Sequence, residues 1–266
     1  MKILNIRMIK PVLHYFNLAD EVVSFSTTRH GGVSKGKLAT LNINPHRGDE
    51  PSAVAENLQA VAAEIGIQTD KVIRLHQIHE THCLTVTDAF FRLSVAEQYE
   101  MEEGKDAVVT DCRNVCIGVH TADCVPVLFY DPVHHAIGAA HAGWRGTVQR
   151  IAQHTLRKMT ELYGTDPKEL KAVVGPCISQ KNFEVGQEVY DTFSAAGFPM
   201  ERIARMYEKW HIDLPLCNQL QLEELGVPIA NIIQSGICTY DNASDFFSAR
   251  ILKEGFGTIY TGIALK

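Results

Sequence analysis

The sequence predicts an α/β chain built as a single-domain mixed β-sandwich flanked by helices. Three observations carry that expectation. Ten segments read as strands and four as helices, too strand-rich for a regular β-α-β alternation. Residues 106–141 hold successive strand-like runs with no helix between them. The 266 residues suffice for one large domain, and no low-complexity linker, internal repeat or shift in composition divides them.

In chain order, Val22–Ser26 is the first β-rich run. Asp49–Gly66 follows as a helix: Val54, Leu58, Val61, Ala62 and Ile65 fall on one face, Pro51 sits in the first turn and Gly66 is the stop. Strands are then expected at Val72–Leu75, Cys83–Val86, Ala107–Thr110, Val115–Val119, Val125–Tyr130 and Ala136–Ala140. Trp144–Tyr163 reads as the second helix, with Val148, Ile151, Thr155, Met159 and Leu162 along one stripe and Gly164 at its end. A strand at Ala172–Gly175 precedes a helix at Glu184–Phe193. The fourth helix, Asp213–Leu225, opens on a capping Asp and closes on Gly226. Ile229–Ile233 and Thr258–Ile263 complete the strands.

Hydrophobic residues make up 45% of the chain and charged residues 21%, which excludes disorder, collagen-like repeats and coiled coil as the main state. Acidic groups exceed basic ones, 31 against 25, and the net charge of −6 argues against a nucleic-acid partner. No apolar run reaches the length of a membrane helix, and the opening MKILNIRMIKPVLHYF lacks the pattern of a secretory leader. Seven scattered cysteines do not form a disulfide framework. The expectation is a reduced, cytoplasmic protein whose thiols are free for metal or nucleophilic work.

The twelve histidines and seven cysteines point to where chemistry could lie. His76, His79 and His82 crowd one short segment; read as a strand end, His79 lies on the opposite face from His76 and His82, so only one of those sets could enter a site. His120-Thr121-Ala122-Asp123-Cys124 sits between two β runs. A cysteine at such a turn is either a small buried hydrophobe or a thiol whose ionised form the turn favours, and taken alone the first reading is the stronger. His141-Ala142-Gly143-Trp144-Arg145-Gly146 joins a strand to a helix, where glycine, a helix N-terminus and Arg145 could make an anion pocket. Thr27-Thr28-Arg29-His30-Gly31-Gly32 ends a strand on an Arg and a Gly-rich turn. Phosphate-loop and dinucleotide-binding glycine motifs are absent.

These segments, with Leu41-Asn42, Gln77-Ile78-His79, Asp106–Asp111 (DAVVTD), Thr121–Pro126 (TADCVP), Gly175–Ile178 (GPCI), Phe183-Glu184-Val185, Cys238-Thr239 and Phe247-Ser248, resemble the YfiH/YlmD-type family, known both as purine nucleoside phosphorylases and as laccase-like polyphenol oxidases. TADCVP followed, seventeen residues on from Cys to His, by HAGWRG is the most specific part of the match. The resemblance implies an α/β sandwich with a site layout like that of the cytotoxic necrotising factor deamidases, and one Zn²⁺ held by His79, Cys124 and His141. Three protein ligands leave a tetrahedral ion an open position for catalysis.

The implied activity is phosphorolysis of adenosine, inosine and methylthioadenosine to base and ribose 1-phosphate, with adenosine deamination beside it. The implied partners are a small nucleoside and phosphate, with no nucleic acid, membrane or protein partner. By this resemblance Arg29 contacts phosphate or ribose, Arg145 supports the site beside the metal, and Asp123 orients a ligand histidine. His30 stands where the family carries a less bulky residue. The other histidines and cysteines are read as structural. Three rival readings remain: a copper-dependent polyphenol oxidase, although the chain has no H-x-H pair for a multicopper cluster; a hydrolase editing peptidoglycan precursors with Cys124 as nucleophile and His141 as base; and a protein that binds purine or metal without turnover.

Overall fold

The computed structural model describes residues 10–266, so most of the opening apolar segment read above lies outside the described residues. Strands β1 (Leu13–Tyr15), β2 (Val22–Thr27), β3 (Cys83–Val86), β4 (Ala107–Thr110), β5 (Val115–Thr121), β6 (Val125–Asp131), β7 (Ala136–Ala142), β8 (Lys171–Val174), β9 (Glu184–Val185), β10 (Ala204–Met206), β11 (Trp210–Ile212), β12 (Ile232–Gln234) and β13 (Ile259–Leu265) form, with eight α-helices, the main regular elements among the described residues. The helices are α1 (Pro51–Ile65), α2 (Val95–Glu102), α3 (Trp144–Val148), α4 (Ile151–Tyr163), α5 (Gln187–Ala195), α6 (Met200–Ile203), α7 (Leu214–Glu224) and α8 (Ala249–Leu252). Among the described residues no helix is long and apolar enough to cross a membrane.

Two sheets face one another. One has the order β1-β2-β13-β5; the other, six-stranded, has the order β12-β8-β6-β7-β4-β3, and β10-β11-β9 forms a small third sheet. Among the described residues β3 with β4 and β12 with β8 pair in parallel, and the remaining strand pairs are antiparallel. That mixed topology follows from the run β4–β7, which turns back directly with no crossover helix.

Side-chain alternation along the strands builds the layers. Val115, Ile117, Val119, Ile263 and Leu265 of one sheet meet Val108, Leu128, Tyr130, Ile137 and Val173 of the other in the sandwich core. The intervening residues face outward. Val109, Val125, Val127 and Phe129 pack under Ile151, Leu156 and Met159 of α4 and Leu220 of α7. Phe25, Cys116, Tyr260 and Ala264 pack under Leu58, Val61, Ala62 and Ile65 of α1. The result is four layers: helix, sheet, sheet, helix.

The expected first and fourth helices form. Gly66, at φ 73°, closes α1 in the left-handed conformation, and the Asp213 carboxylate caps α7 by accepting from the Leu216 N–H at 3.0 Å. Three expectations are corrected. Trp144–Tyr163 is two helices, broken where Arg150 adopts φ 63°; the stripe continues across the break, but Leu162 at its end is exposed. Glu184–Phe193 begins as strand β9, because Glu184 and Val185 pair with β11 before the helix starts at Gln187. Val72–Leu75 is extended and largely buried, yet makes only a bridge at Val72 to Cys116, so it joins no sheet.

Candidate metal centre

Each of the three candidate ligands arrives from a different element. Cys124 lies in the turn between β5 and β6, just after Asp123, which takes a left-handed φ of 82° to make the turn. His141 is the penultimate residue of β7, opposite Pro126 across the ladder. His79 comes from the irregular segment before β3, itself at φ 66°. Because this segment is not a strand, the alternation expected to separate His79 from its neighbours does not apply. The ligand atoms of His79, Cys124 and His141 all lie within 4.8 Å of one another, and the two imidazoles meet edge-to-face with centroids 4.7 Å apart.

The residue that organises this group is Asp106, the buried first residue of the DAVVTD stretch. One carboxylate oxygen accepts from His141 Nδ1 at 2.7 Å and from the His79 N–H at 3.0 Å. The other accepts from the N–H groups of Ile78 at 3.1 Å and Glu80 at 2.8 Å. A single carboxylate thus wraps the His79 segment and holds the His141 ring with Nδ1 as donor, so that Nε2 is the nitrogen a metal ion takes once its proton is displaced. Burial works against the charged form of Asp106, but His141 and the backbone donors outweigh it and keep its pKa below the usual carboxylate value.

Charge coupling runs through the thiol. Burial pushes the Cys124 pKa up, but the neighbouring His141 and His79 pull it further down, to about 6. Burial likewise lowers His141, and the Cys124 thiolate with Asp106 raises it to about 9. The favoured state is a thiolate beside an imidazolium, the donor that a metal ion displaces a proton to reach. Gly143 makes the close approach possible: a Cβ there would sit 2.7 Å from His79 Nδ1 and 3.2 Å from Cys124 Sγ. One thiolate and two imidazoles, converging without a fourth protein donor among the described residues, fit a zinc or copper ion that keeps an open position.

The group opens on a cavity of about 250 Å³ lined by Arg47, His46, His76, Gln77, His120 and Phe256, among others. His76, read from sequence as structural, lines this cavity while its Nδ1 pairs with Glu103 at 2.6 Å. One expected role is corrected here, and two cations expected at the site lie outside the cavity lining. Asp123 does not orient a ligand histidine: its buried carboxylate accepts from Thr239 Oγ1 at 2.7 Å, Ser248 Oγ at 3.0 Å and the Arg250 N–H at 2.7 Å, tying the 239–250 segment to the Cys124 turn. Arg29 does not reach the cavity, because its guanidinium donates to the carbonyls of Ala39 and Ala243 at 3.0 and 2.9 Å and lies over the Phe247 ring. Arg145 is exposed over Trp144 and also lies outside the cavity lining. His30 pairs with Asp245 at the surface.

The sequence assigns no site role to Asp106, nor to Arg47 and His120, which line the cavity. An acid opening an otherwise apolar strand was the available signal for Asp106, since a buried carboxylate there must find donors. Arg47 had none, being one more cation in an exposed-looking HRGD turn.

A family model described as "Multi-copper polyphenol oxidoreductase laccase" matches residues 23–266. A protein of Bacteroides thetaiotaomicron named purine nucleoside phosphorylase is 41% identical over 261 residues, covering 96% of this chain and 97% of its own. Adenosine deaminase RL5, from an unknown prokaryotic organism, is 35% identical over 257 residues, covering 96% and 98%. The crystal structure of the hypothetical protein YfiH of Bacillus licheniformis superposes with a TM-score of 0.89 at 31% identity, covering 98% of each chain. With relatives this similar over nearly their full length and a family match from β2 to the last residue, the chain belongs to the YfiH-type multi-copper polyphenol oxidoreductase laccase family of enzymes.

Proposed function

We propose that this chain is a zinc-dependent purine nucleoside phosphorylase acting in the cytoplasm on adenosine, inosine and methylthioadenosine, with adenosine deamination as a second activity. The observation that carries the reading is the convergence of His79, Cys124 and His141 at the floor of a cavity with a cation and several imidazoles in its wall. The names of the relatives, phosphorylase and adenosine deaminase, support the substrate class. His79, Cys124 and His141 would hold the ion, and a Zn²⁺ bound there would supply Lewis-acid chemistry.

The chain's own residues do the rest. Asp106 fixes the His141 ring and the His79 backbone, so the ligands do not reorganise when substrate enters. The Cys124 turn is anchored from behind by Asp123, which keeps the thiol at the cavity floor. Phosphorolysis attaches phosphate at the ribose carbon and releases the base with its bonding electrons. A cationic wall favours both the attacking anion and the charge that develops as the base leaves.

The test is protein purified without added metal and analysed for its metal content, then incubated with inosine and phosphate. Hypoxanthine and ribose 1-phosphate should accumulate in equal amounts beyond one turnover. Base release that does not depend on phosphate overturns the reading. A copper-dependent polyphenol oxidase is the second reading, favoured by a thiolate and imidazole donor set that copper also takes. Copper at one or more per chain with phenol oxidation and no phosphorolysis would establish it in place of the first.

A further inference from the structure

The cavity beside the metal centre carries two polar groups that the protein itself does not satisfy. His120, on β5, is 4% exposed and lines the cavity, and its Nε2 is buried without a hydrogen-bond partner among the described residues. A buried imidazole nitrogen left unpaired costs free energy unless something else meets it. The ring cannot simply swing away. Its backbone is clasped by Gln77, which accepts from the His120 N–H at 2.7 Å and donates to its carbonyl at 2.8 Å, and its face lies 5.1 Å from the Tyr260 ring.

Arg47 is the second group. Its Nε donates to the Phe256 carbonyl at 3.0 Å and its guanidinium lies 4.2 Å over the Phe256 ring, so the side chain is held in place. The two terminal nitrogens have no protein acceptor among the described residues, and no carboxylate lines the cavity. Arg29, the cation that the sequence assigned to phosphate or ribose, lies outside the cavity lining, with Nε and one terminal nitrogen on backbone carbonyls.

We propose that Arg47 and His120 form an oxyanion subsite of this cavity, which takes a phosphoryl group: the terminal guanidinium nitrogens donate to two of its oxygens and His120 Nε2 to a third. A planar guanidinium with both terminal nitrogens free matches a tetrahedral oxyanion in a bidentate way, and its fixed pose means little side-chain freedom is lost on binding. Burial, with the charges of Arg74, His46, His141 and Arg47, holds His120 well below its ordinary pKa, so it enters as a neutral hydrogen-bonding group and Arg47 supplies the charge. The choice of inorganic phosphate as the natural occupant rests on the phosphorylase reading; the subsite itself rests on the two unsatisfied groups.

The test separates the two. Binding of inorganic phosphate, and separately of adenosine 5′-monophosphate, is measured calorimetrically on the metal-loaded protein, for the parent and for Arg47→Gln and His120→Asn, with metal content and thermal midpoint recorded for each. Arg47→Gln should weaken phosphate at least tenfold and His120→Asn about threefold, with metal content unchanged and the affinity for adenosine, titrated in the same way, within threefold of the parent. A loss confined to the monophosphate also supports the subsite and assigns it to a phosphate ester. Unchanged affinity for both anions in a folded, metal-loaded Arg47→Gln overturns the proposal. If the parent binds phosphate through Arg47 yet releases no base, the subsite stands and the phosphorylase reading falls.

Discussion

Replacing Asp106 by Asn tests the organisation of the metal centre most directly. The carboxylate is fully buried and each of its oxygens accepts two hydrogen bonds, Oδ1 from His141 Nδ1 and the His79 N–H, Oδ2 from the Ile78 and Glu80 N–H groups. An amide in its place has one oxygen. Whichever way it turns, its NH₂ faces two of the four N–H donors, which lose their acceptor; those of Ile78, His79 and Glu80 belong to exposed residues that water reaches, and only His141 Nδ1 is fully buried. At about 1–3 kcal/mol for one unsatisfied buried group the loss is about 1–3 kcal/mol. That is a measurable part of the roughly 5–15 kcal/mol that holds an ordinary domain folded. If Asn keeps its oxygen toward Ile78 and Glu80, His141 is released and can present the wrong nitrogen; metal affinity should then fall by about 10–100-fold. Urea unfolding of the metal-free protein gives the first quantity, and competition against a chelator of known affinity gives the second. An Asp106→Asn protein within about 0.5 kcal/mol of the parent, with unchanged zinc affinity, would refute the account of Asp106 as the common anchor of both ligands.

Other outcomes follow from the same geometry. Gly143→Ala places a methyl 2.7 Å from His79 Nδ1, so metal affinity should drop at least tenfold while far-UV circular dichroism is unchanged; equal affinity would show that the centre yields freely. Cys124→Ser should abolish stoichiometric zinc by metal analysis, whereas a variant that keeps its zinc and loses only turnover would mark the thiol as nucleophile rather than ligand. Asp123→Asn should loosen the 239–250 segment, read as faster amide hydrogen exchange at Thr239 and Arg250 than elsewhere in the chain. Glu102 has its pKa raised to about 7, by burial that Arg74 only partly offsets. The folded state therefore holds this proton more tightly than the unfolded chain, and the associated stability is present below about pH 4.5 and lost as pH rises through about 7. Urea midpoints at pH 5 and pH 7.5 should differ less in Glu102→Gln than in the parent.

How much of this was legible in the sequence depends on the range of the interaction. The face of α1 and the caps at Gly66 and Asp213 are local, and the spacing that announced them is the spacing that packs. The break at Arg150 was not legible, because the apolar stripe continues across it and only the left-handed residue interrupts the hydrogen-bond ladder. At the site, motif resemblance pointed to His79, Cys124 and His141, which the fold brings together. It also pointed to Arg29, and there an arginine at a turn looks the same whether its donors end on carbonyls or in a cavity. Asp106 and Asp123 show the limit plainly: both are buried acids beside ligands, but one turns toward His141 and the other toward Thr239 and Ser248. The role expected of Asp123 belongs to Asp106.

Strand β13 lies between β2 and β5, with Thr261 paired to Ser26 on one side and to Val119 on the other. The Ser26–Thr261 contact spans 235 residues. At a synthesis rate of about 5–20 residues per second, β2 waits roughly 12–47 s on the ribosome for the strand that completes its sheet. Throughout that interval β2, and from its own synthesis onward β5, offers a bare, apolar edge to any other nascent chain. The Cys124 turn hangs from the end of β5, so until β13 arrives it too lacks its final support. The order of synthesis, more than the stability of the finished sandwich, therefore sets when this protein is most exposed to aggregation and in greatest need of a chaperone.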